Sequence, residues 1–99
     1  MQLRTVANLP IIEVFMTAPS PRQAYYQLWI EKAGNTFRVF KESGIGFGAT
    51  PMHRQTLYFE TLEDALEIFK KRIYRKTNRK KGRIYNIQYY RCQKPIELQ

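Results

Sequence analysis

The sequence predicts an α+β fold, an antiparallel β-sheet meander with one amphipathic helix packed on one face. Three observations lead there. Short segments alternate apolar and polar side chains with the period of two that strands require. One later segment, Thr61–Lys76, instead spaces its apolar residues as a helix does. The chain has 99 residues with 43% hydrophobic content, enough for one domain with one modest core and too much for wholesale disorder.

Residues 9–16, "LPIIEVFM", read as a first strand interrupted by Glu13. Pro19 and Pro21 in "TAPSPR" break it. "AYYQLWIE" alternates, with Tyr26, Leu28 and Ile30 on one face and Tyr25, Gln27 and Trp29 on the other. "KAGN" is a turn and "TFRVFKE" the return strand, so residues 24–42 form a hairpin. "RQTLYFE" is the next strand, with Leu57 and Phe59 on one face and Arg54, Thr56 and Tyr58 on the other. In the helix, Leu62, Ala65, Leu66, Phe69 and Ile73 form one stripe, and Phe69 and Leu66 are expected to be buried under it. Thr61 is the N-cap, with Asp64 three residues on. Acidic residues lead and basic residues trail, as the helix dipole favours. "RIYNIQYYR" closes the sheet, with Tyr85, Ile87 and Tyr89 on one face. The expected division is an N-terminal strand and linker (1–23), a principal domain (24–92) and a C-terminal tail (93–99).

Charge is the strongest functional signal. The formal net charge is +9, and it is concentrated. Between Phe69 and Tyr85 the chain reads "KKRIYRKTNRKKGRI", with no carboxylate from Glu67 to Glu97, while charges elsewhere nearly cancel. The dipole accounts for the part of this block inside the helix but not for Arg79, Lys80, Lys81 and Arg83 beyond it. Such a block attracts polyanions, because each cation that meets a phosphate releases condensed counterions. The expected phosphate-binding residues are Lys76, Arg79, Lys80, Lys81 and Arg83, with Lys70, Lys71, Arg72 and Arg75 on the adjoining helix. One helix covers one sheet face. The other would carry Tyr25, Gln27, Trp29, Arg38, Thr56, Tyr58 and Tyr90. That open face can be solvated sheet, a dimer or protein interface, or a stacking platform in which Tyr25, Trp29, Tyr58 and Tyr90 take part.

The inventory of reactive groups points away from catalysis. His53 is the only histidine and Cys92 the only cysteine, too few for a four-ligand zinc site or an internal disulfide. A lone cysteine fits a reducing cytoplasm. Ser20 and Ser43 have no evident general base, and no carboxylate pair is marked out for acid–base work. "KESGIGFGAT" spaces Gly44, Gly46 and Gly48 as G-x-G-x-G between two strands. A dinucleotide fingerprint needs a different spacing before a helix, and a phosphate loop needs Gly-Lys-Ser/Thr. These glycines are therefore expected to serve positive φ, a bulge or close backbone approach. No enzyme activity, metal or cofactor is expected. No apolar run is long enough to span a membrane.

The ordered set of segments resembles the WGR domain, a module of poly(ADP-ribose) polymerases and of stand-alone or fused bacterial proteins. "YYQLWIE" is similar to its opening strand. "TFRVFKESGIG" lies where the Trp-Gly-Arg-Val-Gly signature belongs, with Ile45-Gly46 in the place of Val-Gly. "LYFETLEDALEIFKKRIYRKTN" is similar to its strand, acidic helix start and terminal Lys-Thr, and "KKGRIYNIQYY" to its closing strand. The match covers residues from about Tyr25 to Tyr90, within the 24–92 domain. Glu42 and Gly44 replace the signature Trp and Arg, and Trp29 belongs to the preceding strand. The resemblance implies the fold and a nucleic-acid contact at Lys76, with DNA ahead of RNA as partner. The alternative is a protein-interaction or homodimerisation module using the open aromatic face.

Overall fold

The computed structural model describes residues 10–46, 51–78 and 83–92. Its elements are β1 (Ile12–Thr17), β2 (Ala24–Ala33), β3 (Thr36–Ile45), β4 (His53–Phe59), α1 (Leu62–Thr77) and β5 (Asn86–Cys92). The strands form one sheet in the order β4-β3-β2-β1-β5, and every neighbouring pair is antiparallel. The fold is thus the expected α+β sheet with a single helix. The first four strands are a meander, while β5 crosses back to pair with β1. The segment 12–17, placed by the sequence in an N-terminal strand and linker, therefore lies inside the sheet between β2 and β5. β4 and β5 point the same way at opposite edges, and α1 runs back between them.

Alternation sorts the side chains as expected. Ile12, Val14 and Met16 of β1 stand opposite Ile30, Leu28 and Tyr26 of β2, and Val39 of β3 stands opposite Ile30. All face the helix and all are buried. α1 closes this face with Ala65, Phe69 and Ile73, one apolar stripe at the 3.6-residue period. Leu66 lies beside the stripe and is only partly buried. Thr61 caps the helix through its hydroxyl, which accepts from the Asp64 amide at 3.1 Å. Glu63 and Asp64 occupy the first turn and Arg75 and Lys76 the last, in the sense that offsets the dipole.

The period of two breaks once. Phe15 pairs with Tyr89 but Met16 pairs with Ile87, so Gln88 is an extra residue in β5. This bulge reverses the expected faces. Ile87 and Tyr90 lie on the helix side, opposite Met16 and Val14, whereas Tyr89 lies on the far side with Phe15. Tyr90 is therefore not on the open face, and Ile87 and Tyr89 do not share a face as the unbroken alternation predicts.

The glycines do backbone work. Gly34 has φ +61° and is the first central residue of the β2–β3 turn, as a II′-type hairpin requires. Gly46 has φ +83°, and its amide donates to the carbonyls of Arg22 and Gln23 at 2.9 and 3.1 Å. A Cβ on Gly44 would stand 3.2 Å from the Met52 amide nitrogen and 3.3 Å from the Tyr25 ring. Gly48 lies outside the described residues. Gly46→Val places a β-branched residue at positive φ and is expected to destabilise the fold by about 1–3 kcal/mol. Chemical denaturation would measure it; an unchanged midpoint would show that the backbone there relaxes freely.

Candidate nucleic-acid interface

The register gathers three connections at one end of the sheet. Thr17 pairs with Tyr25 and Asn86, Ala24 with Ile45, and Ser43 with His53. The β1–β2 loop, the ends of the β3–β4 loop and the start of β5 therefore lie together. The Gly46 bonds tie the first two. The third is tied to the helix, since the Tyr85 amide donates to the Lys76 carbonyl at 2.9 Å. The C-terminal end of α1, and both ends of the basic segment that follows it, meet here.

The helix cations fall into two groups by the neighbours they meet, one on each flank of α1. On the first flank, an open groove of about 660 Å³ runs between α1 and β5. Ile73, Tyr74 and Tyr90 contribute its apolar wall, and Lys70, Lys71 and Arg75 its charge. Tyr74 is 69% exposed and Tyr90 42%. Glu67 pairs with Lys71 at 3.2 Å, both side chains well exposed. On the second flank, Arg72 donates to the Tyr26 hydroxyl at 3.4 Å, and the Lys76 ammonium lies 4.6 Å from the centre of the Tyr26 ring and 5.7 Å from that of Tyr85. Lys41 reaches the same Tyr26 ring from β3, at 5.7 Å. Burial, and then the charge of Arg72, pull the Lys41 pKa below its ordinary value.

Of the residues the sequence singled out, Lys70, Lys71, Arg72, Arg75 and Lys76 come together along the second half of α1. Arg83 is exposed just before β5. Arg79, Lys80 and Lys81 lie outside the described residues. The aromatic set is divided. Tyr58 is 69% exposed on edge strand β4, but Tyr25 and Trp29 are only 6% and 4% exposed. Trp29 stacks on Phe40 at 5.3 Å and donates its indole N–H to Glu31 at 2.6 Å; Tyr25 stacks on Phe15 at 6.1 Å, and Phe15 on Tyr89 at 5.5 Å. These rings form a mutually stacked layer in which Tyr25 and Trp29 are buried, so the far face does not offer those two for base stacking.

That layer is organised around Glu13, which is fully buried. One carboxylate oxygen accepts from Gln27 at 2.6 Å, the other from Arg91 Nε and Nη2 at 2.9 and 2.6 Å. The Glu13 hydrogen bond and charge raise the Arg91 pKa. The signal in the sequence was a lone acid in an apolar strand. Lys41 and Tyr26 were also missed as members of the basic cluster, because they lie in strands far from it in sequence. Among the described residues no group of His, Cys, Asp and Glu could hold a metal ion, and no helix is long and apolar enough to cross a membrane. No protein-family model, curated protein or solved structure matches the chain.

Proposed function

We propose that the protein is a non-catalytic, WGR-like module that binds nucleic acid, DNA ahead of RNA, through phosphate contacts from the basic half of α1 and the segment after it. One observation carries this reading. Lys70, Lys71 and Arg75 of α1 border an open groove whose wall includes two exposed tyrosines, Tyr74 and Tyr90. Lys and Arg beside exposed aromatic rings suit a polynucleotide, whose phosphates meet the charges while its bases stack. The rival, a partner bound on the far aromatic face, is supported less, because that face spends its central rings on one another.

Salt dependence tests it. If about four cations contact phosphates, the slope of log affinity against log salt on duplex DNA is expected near −3.6, about −0.9 per contact. Sequence should matter little, since phosphate contacts read no base edge. Changing Lys70 and Arg75 together to Ala should flatten the slope by up to about 1.8, with thermal stability little changed, because Arg75 is exposed and Lys70 only partly buried. Lys32→Ala, outside the block, is the control. A double variant that binds as tightly and as salt-dependently as the parent refutes the groove as a phosphate surface. A mass that rises with concentration in the absence of nucleic acid would favour the rival.

A further inference from the structure

We propose that Lys41, Arg72 and Lys76, gathered around the Tyr26 side chain on the second flank of α1, hold one phosphate group. The proposal sharpens the nucleic-acid reading and rests on it only for the polymer to which the phosphate would belong.

Lys41 occupies a position where strand alternation calls for an apolar side chain. It lies on the helix side of β3, between Val39 and Ser43, opposite Leu28. Two cations of the helix approach the same ring from above. All three residues are half-buried. Like charges drawn together out of bulk water repel, and burial, with the charge of Arg72 second, lowers the Lys41 pKa in the same sense. The ion pairs among the described residues include neither Lys41 nor Arg72, so no carboxylate there offsets these two charges. A protein that only needed a solvated basic surface would leave these side chains apart in solvent, as it leaves the exposed Lys32.

The donors fit an oxyanion. Two ammonium groups and a guanidinium supply charged N–H donors, and the Tyr26 hydroxyl, which accepts from Arg72, has its own O–H to donate. Ser43, buried and directly opposite Tyr26 in the register, lies beside them. The end of α1 opposes an anion with its half-unit negative dipole, but the full charges of Lys41 and Arg72 outweigh that. A carboxylate would also satisfy the charges. Phosphate matches better, because its tetrahedral oxygens accept from donors arriving from different elements, whereas a planar carboxylate favours a single fork.

The test uses the full chain with two probes. The first is inorganic phosphate, compared with chloride at equal ionic strength, read by thermal melting. The second is a fluorescent oligothymidylate with no terminal phosphate, read by anisotropy over a salt series. Lys41→Met and Tyr26→Phe keep the bulk of each side chain, and Lys32→Met is the control. In chloride, Lys41→Met is expected to melt no lower than the parent, since it relieves repulsion. Its oligonucleotide affinity is expected to fall at least fivefold, with the salt slope flattened by about 0.7, one phosphate contact on a single strand. Tyr26→Phe should weaken binding less, with an unchanged slope. If phosphate stabilises the parent and not Lys41→Met, while the oligonucleotide is bound equally by both, the occupant is a small phosphate compound. The site then stands and the nucleic-acid reading falls at this flank. If only the oligonucleotide responds to Lys41, the occupant is a backbone phosphodiester. If neither probe distinguishes Lys41→Met from the parent, the site is refuted.

Discussion

Phe69→Ala is expected to destabilise the protein by about 3–5 kcal/mol, the range for removing a fully buried phenyl ring from a packed core. The ring has no solvent exposure and is the largest fully buried side chain described. It sits between Ala65 and Ile73 on the one stripe by which α1 holds the sheet. Domains of this size have only about 5–15 kcal/mol of stability in all, so much of the population would unfold on modest warming. The melting temperature should drop by roughly 12 °C or more, at about 4–8 °C per kcal/mol for a domain of this size. Leu66→Ala is the internal comparison. Leu66 is only partly buried, so its truncation should cost well under half as much. A Phe69→Ala shift of one or two degrees, or equal effects at the two positions, would mean that the helix packs on a different face.

The helix was legible because three independent signals agree there: the apolar period, the Thr61 cap and the change from acidic to basic residues. The β2–β3 hairpin was legible for the same reason, with clean alternation on both sides of a Gly-Asn turn. β5 shows where local pattern stops being enough. "NIQYYRC" reads as a regular strand, and nothing in its own sequence announces the bulge at Gln88. The bulge arises from pairing with β1, which is distant in sequence, and one extra residue turns Tyr90 from the far face into the helix-side groove. The far face was misjudged for a related reason. Alternation reports which side a residue points to, not whether neighbouring strands will stack rings over it. Trp29 lies on the side away from the helix, as expected, and is buried there against Phe40.

The same limit governs the candidate site. A run of cations is visible in sequence, so the α1 part of the surface could be named residue by residue. Its division into two groups follows from which strand residues the side chains reach, Tyr90 on one side and Tyr26 on the other, which the helix sequence alone does not show. Lys41 could not be joined to it beforehand, because a lysine in an alternating strand normally points to solvent. Its membership depends on β3 lying under the second half of α1, which is a property of strand order. Functional groups brought together by topology are invisible to a reading that moves along the chain; those brought together by one element are not.

Arg91→Ala is expected to cost about 2–3 kcal/mol although the Arg91 side chain is 63% exposed. An exposed ion pair would ordinarily contribute less than about 1 kcal/mol, so the size of this effect depends on its partner. Glu13 has no solvent exposure and is the second residue of β1, opposite Trp29 on one side and Arg91 on the other. Without the guanidinium, one of its oxygens loses both donors, and Gln27 alone remains on the other. Water can reach the vacated Arg91 position more easily than a closed core, which is why the expected cost lies below the 3–5 kcal/mol of a wholly buried pair. The companion experiment replaces both partners, Glu13→Leu with Arg91→Leu. Removing charge and countercharge together leaves no orphan, so the double variant should recover most of the loss or exceed the parent. Urea denaturation reads both variants, with the midpoint moving and the slope unchanged if folding stays two-state. If Arg91→Ala lies within about 0.5 kcal/mol of the parent, as an ordinary surface substitution would, then Gln27 alone sustains the buried carboxylate and the pair has no structural role. If Arg91→Ala is costly but the double variant is worse still, Glu13 is needed for a contact beyond its charge, and the aromatic layer of Phe15, Tyr25 and Tyr89 depends on it.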